Sequence, residues 1–117
     1  MSYEINESKE FDASVEDVYQ AAVGAVDGLG GKFVKRNDGD FQFEVKFDKK
    51  ILGKVLGDRS WVQAKVGANA AGKTQLDIFA YPLNAVGQKL MFGARKGVLR
   101  TVLTWFYAHL DHRLPDA

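Results

Sequence analysis

Histidine is the side chain that changes charge most readily near neutral pH, and the chain has two, His109 and His112. His109 lies in a segment, from Val98 to Leu110, in which large apolar residues recur at the spacing of one helical face. On a helical wheel it falls beside Val102, in the centre of that stripe. An imidazole there lines either a packed core or a cavity, and only a cavity would make it functional. The apolar members of the stripe are Val98, Leu99, Val102, Leu103, Phe106 and Leu110.

Three more charged side chains are candidates to join His109. Arg95 projects along the same helical face near its start, and Glu7 and Lys9 share strand parity with Ile5, which points them inward. In a reaction, His109 would be the general acid or base, Arg95 would hold an enolate or carboxylate oxygen, and Glu7 would orient the proton. The opposite helical face carries Arg100, Thr104, Tyr107 and Asp111.

Two motifs that suggest ligand chemistry are rejected. His109 and His112 have a spacing that can hold a metal ion on a helix, but no carboxylate is aimed at them, so no metal site is predicted. Residues 67–74 match the phosphate-binding pattern GxxxxGK[ST]. That pattern needs a helix directly after it, whereas residues 75–81 alternate like a strand and then meet Pro82. We therefore predict a hairpin turn there, and no cofactor.

The elements that must position these residues follow an α+β order. Ser14 is the predicted N-cap of the first helix, Pro82 is expected to end a strand, and Pro115 is expected to stop the last helix. Residues 48–59 are compatible with a loop, a frayed strand or one helical turn. The predicted strands are 3–11, 32–36, 41–47, 60–66 and 74–81, and the predicted helices are 15–29 and 94–114.

The composition limits the class of protein. The chain has 117 residues, 46% of them hydrophobic and 26% charged, which predicts one globular domain spanning residues 1–117. It has no cysteine, which excludes disulfides and thiolate metal sites. The start lacks a secretion segment, and the apolar runs are far shorter than the roughly 20 residues of a membrane helix. We expect a cytoplasmic protein without stable membrane insertion, with a monomer favoured.

The charge is nearly balanced but unevenly distributed. A net charge of +1 argues against nucleic acid as a partner. Residues 1–31 hold seven acids and one base, whereas residues 32–117 hold fifteen bases and eight acids. The favoured interpretation is that the acidic first elements pack beside the basic later strands. The alternative is a surface for an anionic ligand or a membrane.

The segment Glu10 to Tyr19, Glu-Phe-Asp-Ala-Ser-Val-Glu-Asp-Val-Tyr, resembles the opening of SRPBCC domains, in which a strand, a small residue and a helix follow one another. This is the START-like, birch-pollen-allergen-like superfamily, which includes polyketide cyclase/dehydrase-type proteins. The resemblance implies an α+β helix-grip fold, with a curved antiparallel sheet wrapped around a long C-terminal helix and a shorter helix after the first strand. It also implies an apolar cavity between sheet and helix. No room remains between Gly31 and Lys32 for the second small helix of many members, so this cavity is expected to be small or open at one end.

Three functions are compatible with the sequence. The first is binding of a small hydrophobic molecule, lipid or polyketide-like, in the cavity between sheet and final helix. The second is a polyketide cyclase or dehydratase-like enzyme that uses His109 as its acid or base. The third is an interaction module in which the basic segment 46–59 contacts a protein or a membrane. The favoured alternative for this segment is a mobile loop whose apolar residues fold back to cover the cavity mouth. The predicted ligand-binding residues are Glu7, Lys9, Phe43, Phe47, Val62, Ile78, Arg95, Val98, Val102, Phe106 and His109.

Overall fold

A curved antiparallel sheet packs around a C-terminal helix, as expected for an α+β helix-grip fold. The computed structural model describes residues 3–95 and 97–114. The helices are α1 (Val15–Leu29) and α2 (Val98–Arg113). The strands are β1 (Ile5–Phe11), β2 (Lys32–Asn37), β3 (Gln42–Phe47), β4 (Lys50–Ile51), β5 (Lys54–Val55), β6 (Arg59–Ala68) and β7 (Thr74–Leu83).

The main sheet has the strand order β1-β7-β6-β3-β2, and every neighbouring pair is antiparallel. Side chains alternate between its faces, so Phe43, Val45 and Phe47 of β3 point into the core while Glu44 and Lys46 point outward. The predicted turn at residues 67–74 is confirmed. It joins β6 to β7, and the Asn69 side chain accepts hydrogen bonds from the N–H groups of Ala71 and Lys73.

Helix α1 starts and ends as its sequence predicts. The Ser14 hydroxyl accepts a hydrogen bond from the Asp17 N–H at 3.1 Å, and Gly30 ends the helix in the left-handed conformation, with φ of 75°. The helix buries Val18, Ala22 and Val26 on the face that its apolar spacing defines. It packs against α2. At Gly24 and Gly28 the Arg113 side chain lies so close that an added Cβ would come within 3.0 Å of it.

Two predicted boundaries are wrong. Helix α2 begins at Val98 rather than Ala94, because Gly93 and Gly97 both adopt left-handed φ values, of 77° and 81°, that interrupt a helix. Pro82 does not end β7, which continues to Leu83. The pairing of β1 with β7 stops at Ala80. Beyond it residues 89–90 adjoin β7, and the Leu90 N–H donates to the Pro82 carbonyl oxygen at 2.8 Å, so the contact there does not need the N–H that proline lacks.

The undecided segment 48–59 contains a small hairpin, β4–β5. Its two turn residues, Leu52 and Gly53, both have positive φ, of 50° and 82°. This is the conformation that two-residue hairpin turns require, and leucine rarely supplies it. Ile51 is buried in the core, whereas Leu52 and Val55 are exposed. The hairpin therefore docks on the body of the protein through a single apolar side chain of β4.

The core fills the space between the concave face of the sheet and the two helices. It includes residues from α1, from β3, β6 and β7, and from α2, among them Tyr19, Phe43, Phe47, Ile78 and Phe106. Among the described residues, the helices fall short of the length and apolarity that a membrane crossing requires.

Candidate functional site

His109 lies on the rim of a pocket between the β4–β5 hairpin and α2. The hairpin contributes Ile51, Leu52 and Lys54, and α2 contributes Trp105, Ala108 and His109. The α2 residues are three and four positions apart, so they share one helical face. The pocket has a volume of about 380 Å³. Four of its six lining residues are apolar, and the Lys54 ammonium lies 5.7 Å from the centre of the Trp105 ring.

Arg113 sets the hydrogen-bonding state of the His109 ring. The guanidinium Nη1 lies 3.3 Å from His109 Nδ1 and donates to the His109 carbonyl oxygen at 2.9 Å. Since a guanidinium only donates, this contact makes Nδ1 the acceptor and puts the ring hydrogen on Nε2. The ring also lies close to Gly28 of α1, where an added Cβ would come within 3.0 Å of Nδ1. His109 is therefore a partly exposed donor at the junction of α1, α2 and the hairpin.

Three other surface pockets of the described residues differ from it in lining or in size. One of about 370 Å³ lies on the outer side of the sheet between β2, β3 and β6, and six of its seven lining residues are polar or charged. A second, of about 290 Å³, lies beside the start of α2 and includes Tyr3, Pro82, Arg95 and Leu99. A third, also about 290 Å³, separates the base of the hairpin from residues 83–93 and has a largely polar rim. Small-molecule sites usually measure about 300–1,000 Å³ and are mostly apolar, a description that the hairpin pocket fits best.

The residues predicted to form an apolar cavity wall pack against one another instead. Phe43, Phe47, Val62, Ile78, Val102 and Phe106 are each at most 2% exposed and belong to one core cluster. Ile51 connects this cluster to the hairpin pocket, because it is both a core member and a lining residue. Ile51 therefore joins the pocket lining to the core cluster that contains the predicted wall.

Glu7 and Lys9 form a second cluster, with Arg100 and Tyr107 of α2. The Glu7 carboxylate accepts hydrogen bonds from both terminal nitrogens of Arg100, at 2.7 and 3.1 Å, and from the Tyr107 hydroxyl at 2.5 Å. The Lys9 ammonium lies 4.0 Å from the centre of the Tyr107 ring. The sequence assigned Tyr107 to the polar face opposite His109, but it is 7% exposed and packs under β1, because the curved sheet covers this side of α2 as well.

The pKa values in this cluster follow from its hydrogen bonds. The Arg100 guanidinium, helped by the Tyr107 hydroxyl, holds the pKa of the Glu7 carboxyl below its usual value of 4.5, against the opposing effect of burial. Burial, followed by the hydrogen bond to Glu7, raises the pKa of Tyr107 well above 10. Glu7 is thus held as a carboxylate with its oxygens occupied, which fixes β1 to α2.

Arg95 and Val98 lie apart from both clusters. The Arg95 N–H donates to the Asp58 carboxylate at 2.7 Å, and its side chain is 68% exposed. Because α2 begins only at Val98, Arg95 is not part of the helical face that carries His109, which corrects the helical-wheel prediction. Val98 is buried at the first turn of the helix. The predicted acid–base set of Glu7, Arg95 and His109 is therefore spread over three sites.

Sequence reasoning missed Ala108 and Lys54 as partners of His109. The spacing of Trp105, Ala108 and His109 was a usable signal, since residues three and four apart share a helical face. The sequence contains no such signal for Lys54, because its position depends on how the β4–β5 hairpin folds back onto α2. The polar pair Arg100 and Tyr107 likewise gains its role only through contact with Glu7, about a hundred residues away in sequence.

Comparison with known proteins identifies the fold and leaves the function open. No protein-family model matches the chain, and no curated protein matches its sequence. Solved structures do match. Ara h 8.0201 aligns with a TM-score of 0.60 and 9% identity, covering 96% of this chain and 97% of that one. The chain has a birch-pollen-allergen-like fold.

Two bacterial structures are similar over nearly the whole chain. A protein from Nitrosospira multiformis aligns with a TM-score of 0.56 and 12% identity, covering 97% of each chain. An uncharacterized protein from Bacillus thuringiensis aligns with a TM-score of 0.54 and 14% identity, covering 97% of this chain and 99% of that one. At these identities the likeness concerns the fold alone.

Proposed function

We propose that this protein binds a small, mostly hydrophobic molecule in the pocket between the β4–β5 hairpin and α2. The observation that carries the proposal is the pocket itself, which combines an apolar lining with one ammonium, Lys54, and one imidazole donor, His109. An apolar cavity with a few placed polar groups is the usual composition of a ligand site. The birch-pollen-allergen-like fold agrees with this assignment.

The lining indicates the chemistry of the ligand. The Trp105 ring offers a flat apolar surface, which suits an aromatic ring or an acyl chain. Lys54 and the His109 Nε2–H both donate, so the ligand should carry an acceptor such as a carboxylate, a carbonyl or a phenolic oxygen. Fatty acids and polyketide-like aromatics both meet this description.

The pocket floor gives larger ligands a route inward. Ile51 is the lining residue that also belongs to the core cluster, whose other members include Phe47, Val102 and Phe106. If the hairpin lifts, Ile51 leaves with it, and the pocket extends toward the cavity that the sequence predicts between sheet and helix. On this proposal, Glu7, Lys9 and Arg95 hold the structure together rather than contact the ligand.

A direct test is a binding screen by NMR with medium-chain fatty acids and hydroxylated aromatic compounds. We expect amide shifts at residues 51–54 and 105–109, and weaker shifts in the core residues of α2. The variant Ala108→Leu should fill the pocket and weaken binding by tenfold or more, since it occupies part of the ligand volume. Thr104→Leu is the matched control, because Thr104 is an exposed residue on the same helix and does not line the pocket.

The role of His109 is tested separately. His109→Ala should weaken binding of ligands that carry an acceptor by about three- to tenfold, the value of one hydrogen bond, while the exposed His112→Ala should not. A screen without shifts, or full binding by Ala108→Leu, would reject this pocket. The cyclase-like alternative instead requires product formation by the wild type and its loss in His109→Ala with ligand binding retained.

A further inference from the structure

Two neighbouring segments, residues 46–59 and 84–95, form one end of the molecule, here called the basic tip. They lie side by side because β3 ends, β6 begins and β7 ends at the same end of the sheet. Contacts join them. Arg59 donates to the Ala85 carbonyl at 3.3 Å, and the Arg95 N–H donates to Asp58 at 2.7 Å. The two segments therefore present one surface.

The basic tip concentrates the exposed apolar side chains. Six large hydrophobic residues of the described chain are exposed, and five of them lie here, each between 55% and 83% exposed. Single apolar residues on a surface are ordinary, but a cluster of them marks an interaction site. The five are Leu52, Val55, Val86, Met91 and Phe92, and the sixth, Val34, lies on β2.

The same surface is strongly basic. Its two segments hold seven Lys and Arg residues against two Asp. Asp48 pairs with Arg59, and Asp58 with Arg95, so both carboxylates are neutralised locally. Lys89 pairs with Glu4. Among the ion pairs of the described residues, Lys46, Lys49, Lys50 and Lys54 have no carboxylate partner.

Leu52 is placed at the tip against its conformational preference. Its φ of 50° lies in the left-handed region, which asparagine and glycine adopt more readily than leucine. Its side chain is 67% exposed, so little burial offsets the strain. An exposed leucine in a strained turn is explained if the side chain is buried against something else.

We propose that the basic tip docks on an anionic lipid surface. Lysine ammonium groups attract phosphate headgroups, and short apolar side chains between them enter the boundary of the acyl chains. A surface with both features, whose acidic residues are already paired, is complementary to anionic lipid. This proposal does not depend on the ligand pocket, since most of the tip, including Met91, Phe92, Lys49 and Lys50, lies outside the lining.

The test is co-sedimentation of the full chain with vesicles of phosphatidylcholine alone or mixed with phosphatidylglycerol. We expect binding to the mixed vesicles and little to the neutral ones. Binding should fall steeply between 0.1 M and 1 M salt, because the screening length drops from about 10 Å to about 3 Å. Phe92→Ser should weaken vesicle binding by about tenfold, since it removes one large apolar side chain from the contact.

Matched variants distinguish vesicle binding through the basic tip from nonspecific binding of the protein to vesicles. Lys49→Glu with Lys50→Glu should weaken binding at least tenfold, whereas Lys32→Glu with Lys65→Glu, exposed lysines of β2 and β6, should have a small effect. Val34→Ser is the control for Phe92→Ser. Circular dichroism and the melting temperature show that each variant is folded.

Three outcomes would overturn the proposal: no vesicle binding at low salt, equal binding to neutral vesicles, or equal losses in tip and control variants. Self-association that Phe92→Ser abolishes, in the absence of vesicle binding, would assign the tip to a second copy of the chain instead. Vesicle binding that persists in Ala108→Leu would leave the docking proposal intact even if the ligand pocket were rejected.

Discussion

At the scale of single residues, Glu7 connects β1 to α2 through its carboxylate. Its side chain is 26% exposed, and three hydrogen bonds from Arg100 and Tyr107 hold it as a carboxylate. Such charge-assisted bonds are stronger than neutral ones, and they connect the edge strand β1 to the helix that the sheet encloses. Sequence parity placed Glu7 on the inner face, and its partners there are Arg100 and Tyr107 of α2.

The pH dependence of stability should report this cluster. Because folding lowers the Glu7 pKa below 4.5, its contribution is complete above that pH and is lost as the pH falls through the folded-state value. Glu7→Gln should lower the free energy of unfolding at pH 7 by about 1.5–3 kcal/mol and flatten the acid side of the stability curve. Urea unfolding at pH 7 and at pH 3.5 measures both effects. Equal losses at the two pH values would contradict the assignment.

At the scale of elements, close approaches determine how the helices and the sheet meet. Gly31 joins α1 to β2 in a position where a Cβ would lie 2.7 Å from the Phe47 ring and 2.9 Å from Val26 and Val45. Since these three side chains belong to the packed core, none can move aside at low cost. The two adjacent glycines therefore have different roles. Gly30 adopts the left-handed conformation that ends α1, and Gly31 lacks the Cβ that would clash with the core.

Gly31→Ala should therefore destabilise the protein by about 1–3 kcal/mol through overpacking. Gly67→Ala is the matched control, because an added Cβ there meets nothing within 4 Å and the φ of Gly67 is not in the left-handed region. We expect the control to change the free energy of unfolding by less than about 0.5 kcal/mol. Comparable losses in both variants, measured by chemical denaturation, would show that the effect arises from the backbone rather than from the contact with Phe47.

At the scale of the whole molecule, one core joins all the major elements. The cluster that holds Phe106 draws side chains from both helices and from the central strands, which supports the prediction that residues 1–117 unfold as one domain. The small hairpin lies outside this core except for Ile51, and the segment at 84–95 contributes no residue to it. These peripheral parts carry both the pocket and the basic tip, and so they can move without loss of the core.

A pair of phenylalanines tests this division. Phe106 is fully buried and Phe92 is 83% exposed. Phe106→Ala should cost about 3–5 kcal/mol, while Phe92→Ala should change stability by less than about 0.5 kcal/mol. Calorimetry should give one transition for the wild type, with equal calorimetric and van't Hoff enthalpies. Two transitions would contradict the single domain.

Local signals in the chain were enough for the α+β layout. Alternation in residues 41–47, the Ser14 cap and the spacing of Val98 to Leu110 each depend on neighbours within a few positions, and each element formed as expected. The helix-grip architecture came from the resemblance of the opening segment, and the structure confirms it. Pro82 and the start of α2 were placed wrongly, because one depends on where a neighbouring strand stops and the other on glycine conformations that override the helical pattern.

The candidate sites depended on contacts that no local pattern contains. Tyr107 meets Glu7, Lys54 meets Trp105, and Arg59 donates to the Ala85 carbonyl, in each case across a long stretch of chain. Side-chain periodicity tells which face of an element is apolar, but which partner covers that face follows from the curvature of the sheet and the path of its loops. For this reason His109 could be identified from sequence as a polar residue on an apolar stripe. Its place at a pocket rim required the folded arrangement of α2 and the hairpin, whereas its contact with Arg113, four positions further on, follows from helical spacing.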